Sequence, residues 1–190
     1  MNKEYFFISK PRCASTHIYE GLTNWNDKIN GNKPYYHTTS QEMVNIFKND
    51  FVHKFSFSVV RHPYNLVLSW YNEHRKEKYE KSTKDFYNIT LEKWIEIGCP
   101  THWKHFKFNP LHQYKWICNE NDLINLENYD EGIKYVYDKI QNYLPKNITI
   151  ESIKQTRKNE TNSNDKLSNK QKDMIYKLFK KDFELFGYQK

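Results

Sequence analysis

The feature that most constrains this chain is the run Phe55-Ser56-Phe57-Ser58-Val59-Val60, which passes directly into Arg61-His62-Pro63. Residues that are mostly apolar and end β-branched read as a buried strand. Proline sits well in the first turn of a helix and poorly in a central strand, so the strand ends here and a helix begins. Leu66, Val67, Trp70 and Tyr71 then recur at helical spacing.

A second unit of the same kind opens the chain. Tyr5 to Ser9 is a short apolar run, Lys10-Pro11-Arg12-Cys13-Ala14-Ser15-Thr16 a polar turn, and His17 to Trp25 a helical stretch. Asn26 to Pro34 reads as loop, and Tyr35-Tyr36-His37 as a second short strand. Ser40 is placed as an N-cap, with Met43, Val44 and Phe47 on one helical face. Glu73 to Thr90 is charged and is expected to loop out. Leu91 to Ile97 reads as helix, Gly98 to Asn109 as loop, Leu123 to Leu126 as strand and Tyr129 to Leu144 as helix. Thr156 to Ser168 is polar and reads as a loop. A last helix is expected from about Asn169 to Phe183, capped near Ser168. Strands alternating with helices define an α/β class with a central, mainly parallel sheet flanked by helices and right-handed crossovers. Ligands gather at the C-terminal ends of such strands, where the loops after Ser9 and after Val60 both lie.

Length and composition set outer limits. The chain has 190 residues, enough for one sizeable core, so a single domain over residues 1–190 is expected. Hydrophobic residues are only 37%, but the aromatic share of 17% supplies core area that aliphatics do not. The net charge of +7 suits an anionic ligand such as a nucleotide, an acidic glycan or nucleic acid, or else reflects lysines on solvated faces. The three cysteines Cys13, Cys99 and Cys118 fit no zinc spacing and no disulfide framework, which favours a reducing compartment. The N-terminal apolar run is short for a signal peptide, and no stretch approaches a membrane span. The expectation is a soluble, cytoplasmic protein.

The first loop offers small residues for close backbone approach, the hydroxyls of Ser15 and Thr16, and the cation Arg12. Backbone N–H groups, hydroxyls and charge together can hold a phosphate or sulfonate. The same residues also suit a plain strand-to-helix turn capped by Ser15 or Thr16. No Gly-x-x-x-x-Gly-Lys-Ser/Thr occurs, which disfavours an ordinary P-loop nucleotidase or nucleotide kinase. In the second loop, Arg61 leaves the strand and Ser69 follows eight residues later, about two helical turns on. A guanidinium and a hydroxyl can clamp a phosphate monoester. Alternatively, Arg61 pairs with a carboxylate and Ser69 faces a neighbouring helix.

Taken in order, these segments resemble the sulfotransferases that use 3′-phosphoadenosine 5′-phosphosulfate (PAPS), and within them the carbohydrate branch. Phe7-Ile8-Ser9-Lys10-Pro11-Arg12-Cys13-Ala14-Ser15-Thr16 resembles the 5′-phosphosulfate loop, which takes the forms Pro-Lys-Thr-Gly-Gly-Thr-Ser and Pro-Lys-x-Ala-Ser-Thr. Phe57 to Tyr64, with Ser69, resembles the 3′-phosphate motif, Arg-x-Pro with a Ser eight residues after the Arg. Leu126 to Tyr129 resembles the late strand and turn, and Tyr176 to Tyr188 the closing helix and tail. The resemblance implies a P-loop-like three-layer fold and metal-free sulfuryl transfer from PAPS to a hydroxyl, with 3′-phosphoadenosine 5′-phosphate (PAP) as the spent product.

By position, Arg12 takes the place of the family's Lys at the sulfonate. Cys13, Ala14, Ser15 and Thr16 complete the 5′-phosphate loop, and Arg61 and Ser69 hold the 3′-phosphate. Arg157 and Lys158 fall where a late basic loop closes over the cofactor. The acceptor hydroxyl must lose a proton, which suits His. In the carbohydrate branch a catalytic His can stand just before a hydroxyl-rich helix start, as His37 stands before Thr38-Thr39-Ser40. His37 is therefore the candidate base and Glu42 the reserve. The implied acceptor is a glycan. Arg for Lys at position 12 is the main departure and keeps open a catalytically silent nucleotide- or glycan-binding module, while His17 where Ser is frequent, and Cys13, are lesser departures. A basic nucleic-acid-binding protein lacks any recognised module here, so no nucleic-acid partner is expected. Trp103, Phe106 and Phe108, near Lys104, His105 and Lys107, form either an acceptor groove or part of the core.

Overall fold

The computed structural model describes residues 5–22, 37–103, 105–117, 123–155 and 166–190. They divide into two compact units, 1–60 with 116–160 and 61–115 with 161–190.

The first unit holds the sheet. Strands β1 (Tyr5–Ile8), β2 (Phe55–Val60) and β3 (Leu123–Asn125) lie side by side in that order, all parallel. The register pairs Phe7 with Phe57 and Val59 with Ile124. Side chains alternate across a strand, so each face has its own apolar set. Phe6 and Ile8 turn to one face and form a core cluster with Met43 and Phe51. Those two belong to helices α2 (Ser40–Phe47) and α3 (Asn49–His53). Phe7, Phe55 and Phe57 stack on the other face, where Phe55 meets Tyr135 of helix α6. Helix α6 spans Tyr129–Ile140 and continues as a 3-10 turn over Gln141–Tyr143. Gly132 lets α6 come close: a Cβ there would lie 2.1 Å from Ile124 Cγ2. Helices on both faces of a parallel sheet make the expected α/β layering. Helix α1 (Ser15–Leu22) packs on α7 (Ile150–Gln155), with Gly21 set against Ile153.

The second unit is helical. It contains α4 (Pro63–His74), α5 (Leu91–Glu96) and α8 (Asn169–Phe186), with α8 packed on both of the others. Trp70, Trp94, Phe179 and Phe183 are among its buried side chains. Ser168 caps α8, as the sequence suggests, and does so in a reciprocal capping box with Gln171.

Several local expectations are revised. Thr39, and not Ser40, caps α2: its hydroxyl accepts from the Glu42 N–H while Glu42 Oε2 accepts from the Thr39 N–H. Ser40 is the first helical residue, and its N–H and hydroxyl both donate to the Trp116 carbonyl. Of the segment expected to loop out from Glu73, residues 75–90 are mostly exposed turns, as expected, but a few positions are packed. Glu73 and His74 end α4 buried, a 3-10 turn covers Glu77–Tyr79, and Thr83 and Phe86 are buried beyond it. Thr83 is held there because its hydroxyl donates to the Tyr79 carbonyl. His37 lies in a turn, while Tyr35 and Tyr36 fall outside the described residues.

Candidate active site

The functional candidates fall in both units. In the first, β1 ends where Ser58 Oγ of β2 donates to the Ile8 carbonyl at 2.8 Å. The chain then turns through residues 9–14 into α1. Arg12 has φ 62° and Ala14 φ 54°, with Cys13 between them on the ordinary side. Alternation of this kind turns neighbouring N–H groups to the same side, the arrangement by which a loop binds an anion. The Ala14 carbonyl accepts the first helical bond, from Ile18 at 3.0 Å, so the N-terminus of α1 follows at once. A helix N-terminus carries partial positive charge and unsatisfied N–H groups.

The side chains of this loop divide by depth. Lys10 and Cys13 are each 1% exposed, and Lys10 Nζ lies 2.6 Å from Cys13 Sγ. Lys10 is thus a second basic side chain of the loop, buried against Cys13. Arg12 and Ala14 are half-buried, Ser15 is buried and Thr16 is exposed. Cys13 is an interior packing residue, which the sequence does not distinguish from a ligand-facing one.

The loop is joined to His37 by Ser9, a residue to which the motif assigns no role. The His37 N–H donates to Ser9 Oγ at 2.8 Å, and His37 Nδ1 lies 2.7 Å from the Ser9 carbonyl oxygen. A carbonyl only accepts, so Nδ1 carries the proton in this bond. In the neutral ring Nε2 then bears the lone pair. The two bonds also hold His37 at φ 61°, an unusual backbone for a residue other than glycine. The ring meets Trp116 edge-on, with centroids 6.4 Å apart. Structure therefore brings His37 to the C-terminal end of β1, against the first residue of the candidate anion loop. Glu42, the reserve base, is engaged elsewhere: Oε2 accepts from both the N–H and the hydroxyl of Thr39. His17 packs edge-on against Tyr129 within the fold.

In the second unit Arg61 lies between the end of β2 and the start of α4, two residues ahead of the helix. Its backbone is gripped from both sides by one buried amide. The Arg61 N–H donates to Gln113 Oε1 at 2.9 Å, and Gln113 Nε2 donates to the Arg61 carbonyl at 2.7 Å. His62 caps α4, its Nδ1 accepting from the Tyr64 N–H at 3.3 Å, and its ring is set among Tyr64, Phe183 and Tyr188. Ser69 lies in α4 and is 1% exposed. Arg157 and Lys158 lie outside the described residues.

Trp103, Phe106 and Phe108 form one array of half-buried rings, Trp103 stacked on Phe106 at 5.7 Å and Phe106 near Phe108 at 5.5 Å. Trp103 also meets buried Trp70 edge-on at 5.5 Å. Two half-buried histidines of this unit are held below their ordinary pKa by burial: His102, stacked on Tyr79, and His112, set against Phe179. Among the described residues no group of three His, Cys, Asp or Glu could hold a metal ion, and no helix is long and apolar enough to cross a membrane.

Ser9, Gln113 and Asp182 are the residues that sequence reasoning passes over. Only Asp182 left a signal. It is an acid between Phe179, Phe183 and Phe186 on the apolar stripe of α8, and an acid in such a stripe needs an interior partner.

A parallel sheet with helices on both faces places the chain in the α/β class, with a loop suited to an anion at the end of its first strand. The particular family follows from comparison: the model of the sulfotransferase family matches residues 2–189, and the chain belongs to that family. No curated protein and no solved structure gives a significant match. Family membership makes the chain a transferase of sulfuryl groups.

Proposed function

We propose that this sulfotransferase moves the sulfuryl group of PAPS to a hydroxyl of a carbohydrate by in-line displacement, with His37 as general base. The observation that carries the reading is the coupling of His37 to Ser9, the first residue of the loop that resembles the phosphosulfate loop. One residue thereby supplies both the root of the anion loop and the acceptor for His37 Nδ1.

The donor set suits a phosphosulfate. Positive φ at Arg12 and Ala14, the α1 N-terminus, Arg12 itself and exposed Thr16 supply N–H groups, charge and a hydroxyl. Ser15 completes the loop. In the second unit Arg61 and Ser69 are assigned to the 3′-phosphate by their place in the motif, and Arg157 and Lys158 to the closing loop. When bound, PAPS supplies an activated sulfuryl group with PAP as its leaving group. Arg12, with a planar fork where the family has a lysine, neutralises charge that develops on the transferred sulfonate and the bridging oxygen. Nε2 of His37 accepts the acceptor's hydroxyl proton as the new O–S bond forms, and the Ser9 carbonyl steadies the resulting imidazolium through Nδ1–H. The glycan acceptor rests on the resemblance to the carbohydrate branch.

The test is turnover. With PAPS carrying labelled sulfate and a panel of glycans as acceptors, wild-type protein is expected to label at least one glycan. His37→Ala is expected to lose roughly 10²–10⁴-fold in kcat, the range for a general base, while PAP affinity stays unchanged. Undiminished turnover by His37→Ala would remove His37 from the chemistry.

A further inference from the structure

Asp182 and Gln113 form a buried relay that ends on Arg61. Both side chains are 0% exposed. Asp182, in the last turns of α8, accepts the Gln113 N–H on Oδ2 and the Tyr114 N–H on Oδ1, each at 2.9 Å. These are the leading N–H groups of the 3-10 turn Gln113–Lys115. Such N–H groups have no partner inside the turn. The carboxylate satisfies them from a helix almost seventy residues away in sequence and fixes the turn in place. The turn in turn aims the Gln113 amide at the Arg61 backbone, where it makes the paired bonds at 2.9 and 2.7 Å. A neighbouring strand would satisfy a backbone in the same way, one donor and one acceptor at once. Arg61 is the first residue past the end of β2, where ladder pairing with β3 stops at Val60. The amide extends backbone restraint by one residue, to the residue whose side chain matters.

We propose that Gln113 and Asp182 are positioning residues for 3′-phosphate recognition: they hold the backbone that carries Arg61, and selectivity for a 3′-phosphorylated nucleotide depends on them although neither touches the ligand. The proposal rests on the reading of Arg61 as the 3′-phosphate residue. Rigid support of this kind sets binding selectivity because an arginine fork rewards an oxyanion only over a narrow range of approach.

The experiment compares two probes, PAP and adenosine 5′-phosphate, which lacks the 3′-phosphate. Binding of each is measured by calorimetry for wild type, Gln113→Met, Gln113→Glu, Arg61→Ala and the double variant Arg61→Ala/Gln113→Met. Methionine keeps the length and removes both hydrogen bonds. Glutamate keeps the acceptor for the Arg61 N–H, so it retains part of the grip and serves if the methionine variant does not fold. Circular dichroism reports folding in each case. In Gln113→Met the preference for PAP over adenosine 5′-phosphate is expected to fall roughly tenfold, the scale of one lost buried clamp. Adenosine 5′-phosphate affinity should be unchanged, and Gln113→Glu should fall in between. In the Arg61→Ala background the Gln113 change should have no further effect, as required if Gln113 acts through Arg61. Wild-type preference in both folded Gln113 variants, or an equal loss for both nucleotides, would overturn the inference while leaving the Arg61 assignment intact. Absence of any preference for PAP in the wild type would overturn both.

Discussion

Ala14 shows how much one residue of the loop can say. Its φ of 54° is left-handed, where a Cβ costs roughly 1–2 kcal/mol. The related motif form Pro-Lys-Thr-Gly-Gly-Thr-Ser carries a glycine at this place, and the geometry explains that preference. Ala14→Gly is expected to relieve the strain, against a loss of roughly 0.4–1 kcal/mol from the freer unfolded chain. The net gain should be about 0.5 kcal/mol, read as a higher urea midpoint at unchanged m-value. A lower midpoint would mean that the Ala14 methyl is needed in packing. His37 is also left-handed, but there the strain is held by the two bonds to Ser9, so it belongs to the placing of the ring. Residue identity alone announced neither conformation. Arg12 and His37 were legible as candidates because of their types and order, whereas the left-handed backbone at Arg12, Ala14 and His37 is set by the fold around them and not by residue type.

Among the elements, those with a strong period of their own were legible and those made by distant partners were not. β2 and the start of α4 follow from an apolar β-branched run broken by a proline. α8 follows from its capping box and its stripe of Ile175, Phe179 and Phe183. By contrast α3 and α7 are five and six residues long, too short to show a period, and exist because neighbours cover them. The cap of α2 fell one residue early because Thr39 and Ser40 are equally good caps on type. The Trp116 carbonyl decides between them by taking both donors of Ser40. Arg61 was legible, whereas its support was not, since a glutamine and an aspartate that are distant in sequence have no local pattern. Close approach of α6 to β3 leads to a prediction at this scale. Gly132→Ala would gain about 1 kcal/mol of helix propensity. The new Cβ would sit 2.1 Å from Ile124 Cγ2 and 3.1 Å from Ile124 Cβ, and overpacking of this kind costs roughly 1–3 kcal/mol. A net loss is expected, seen as a lower melting temperature. A melting temperature at or above the wild type would show that α6 can move off the sheet at little cost.

The whole chain carries a net charge of +7 and matches the sulfotransferase family over residues 2–189, so an anionic donor is the natural partner for the molecule as a whole. What separates a nucleotide donor of one kind from any polyanion attracted by charge is dependence on a single arginine. Binding of PAP by calorimetry, for wild type and Arg61→Ala with ATP as the control anion, therefore tests the central claim most directly. Wild type is expected to bind PAP at micromolar concentration, about −8 kcal/mol, and to bind ATP far more weakly. Arg61→Ala should lose at least about 2 kcal/mol, roughly 30-fold, as expected for removal of one partner of a charged, hydrogen-bonded pair. Equal affinity for PAP and ATP, or full PAP affinity in Arg61→Ala, would contradict the assignment of this chain as a PAPS-dependent enzyme.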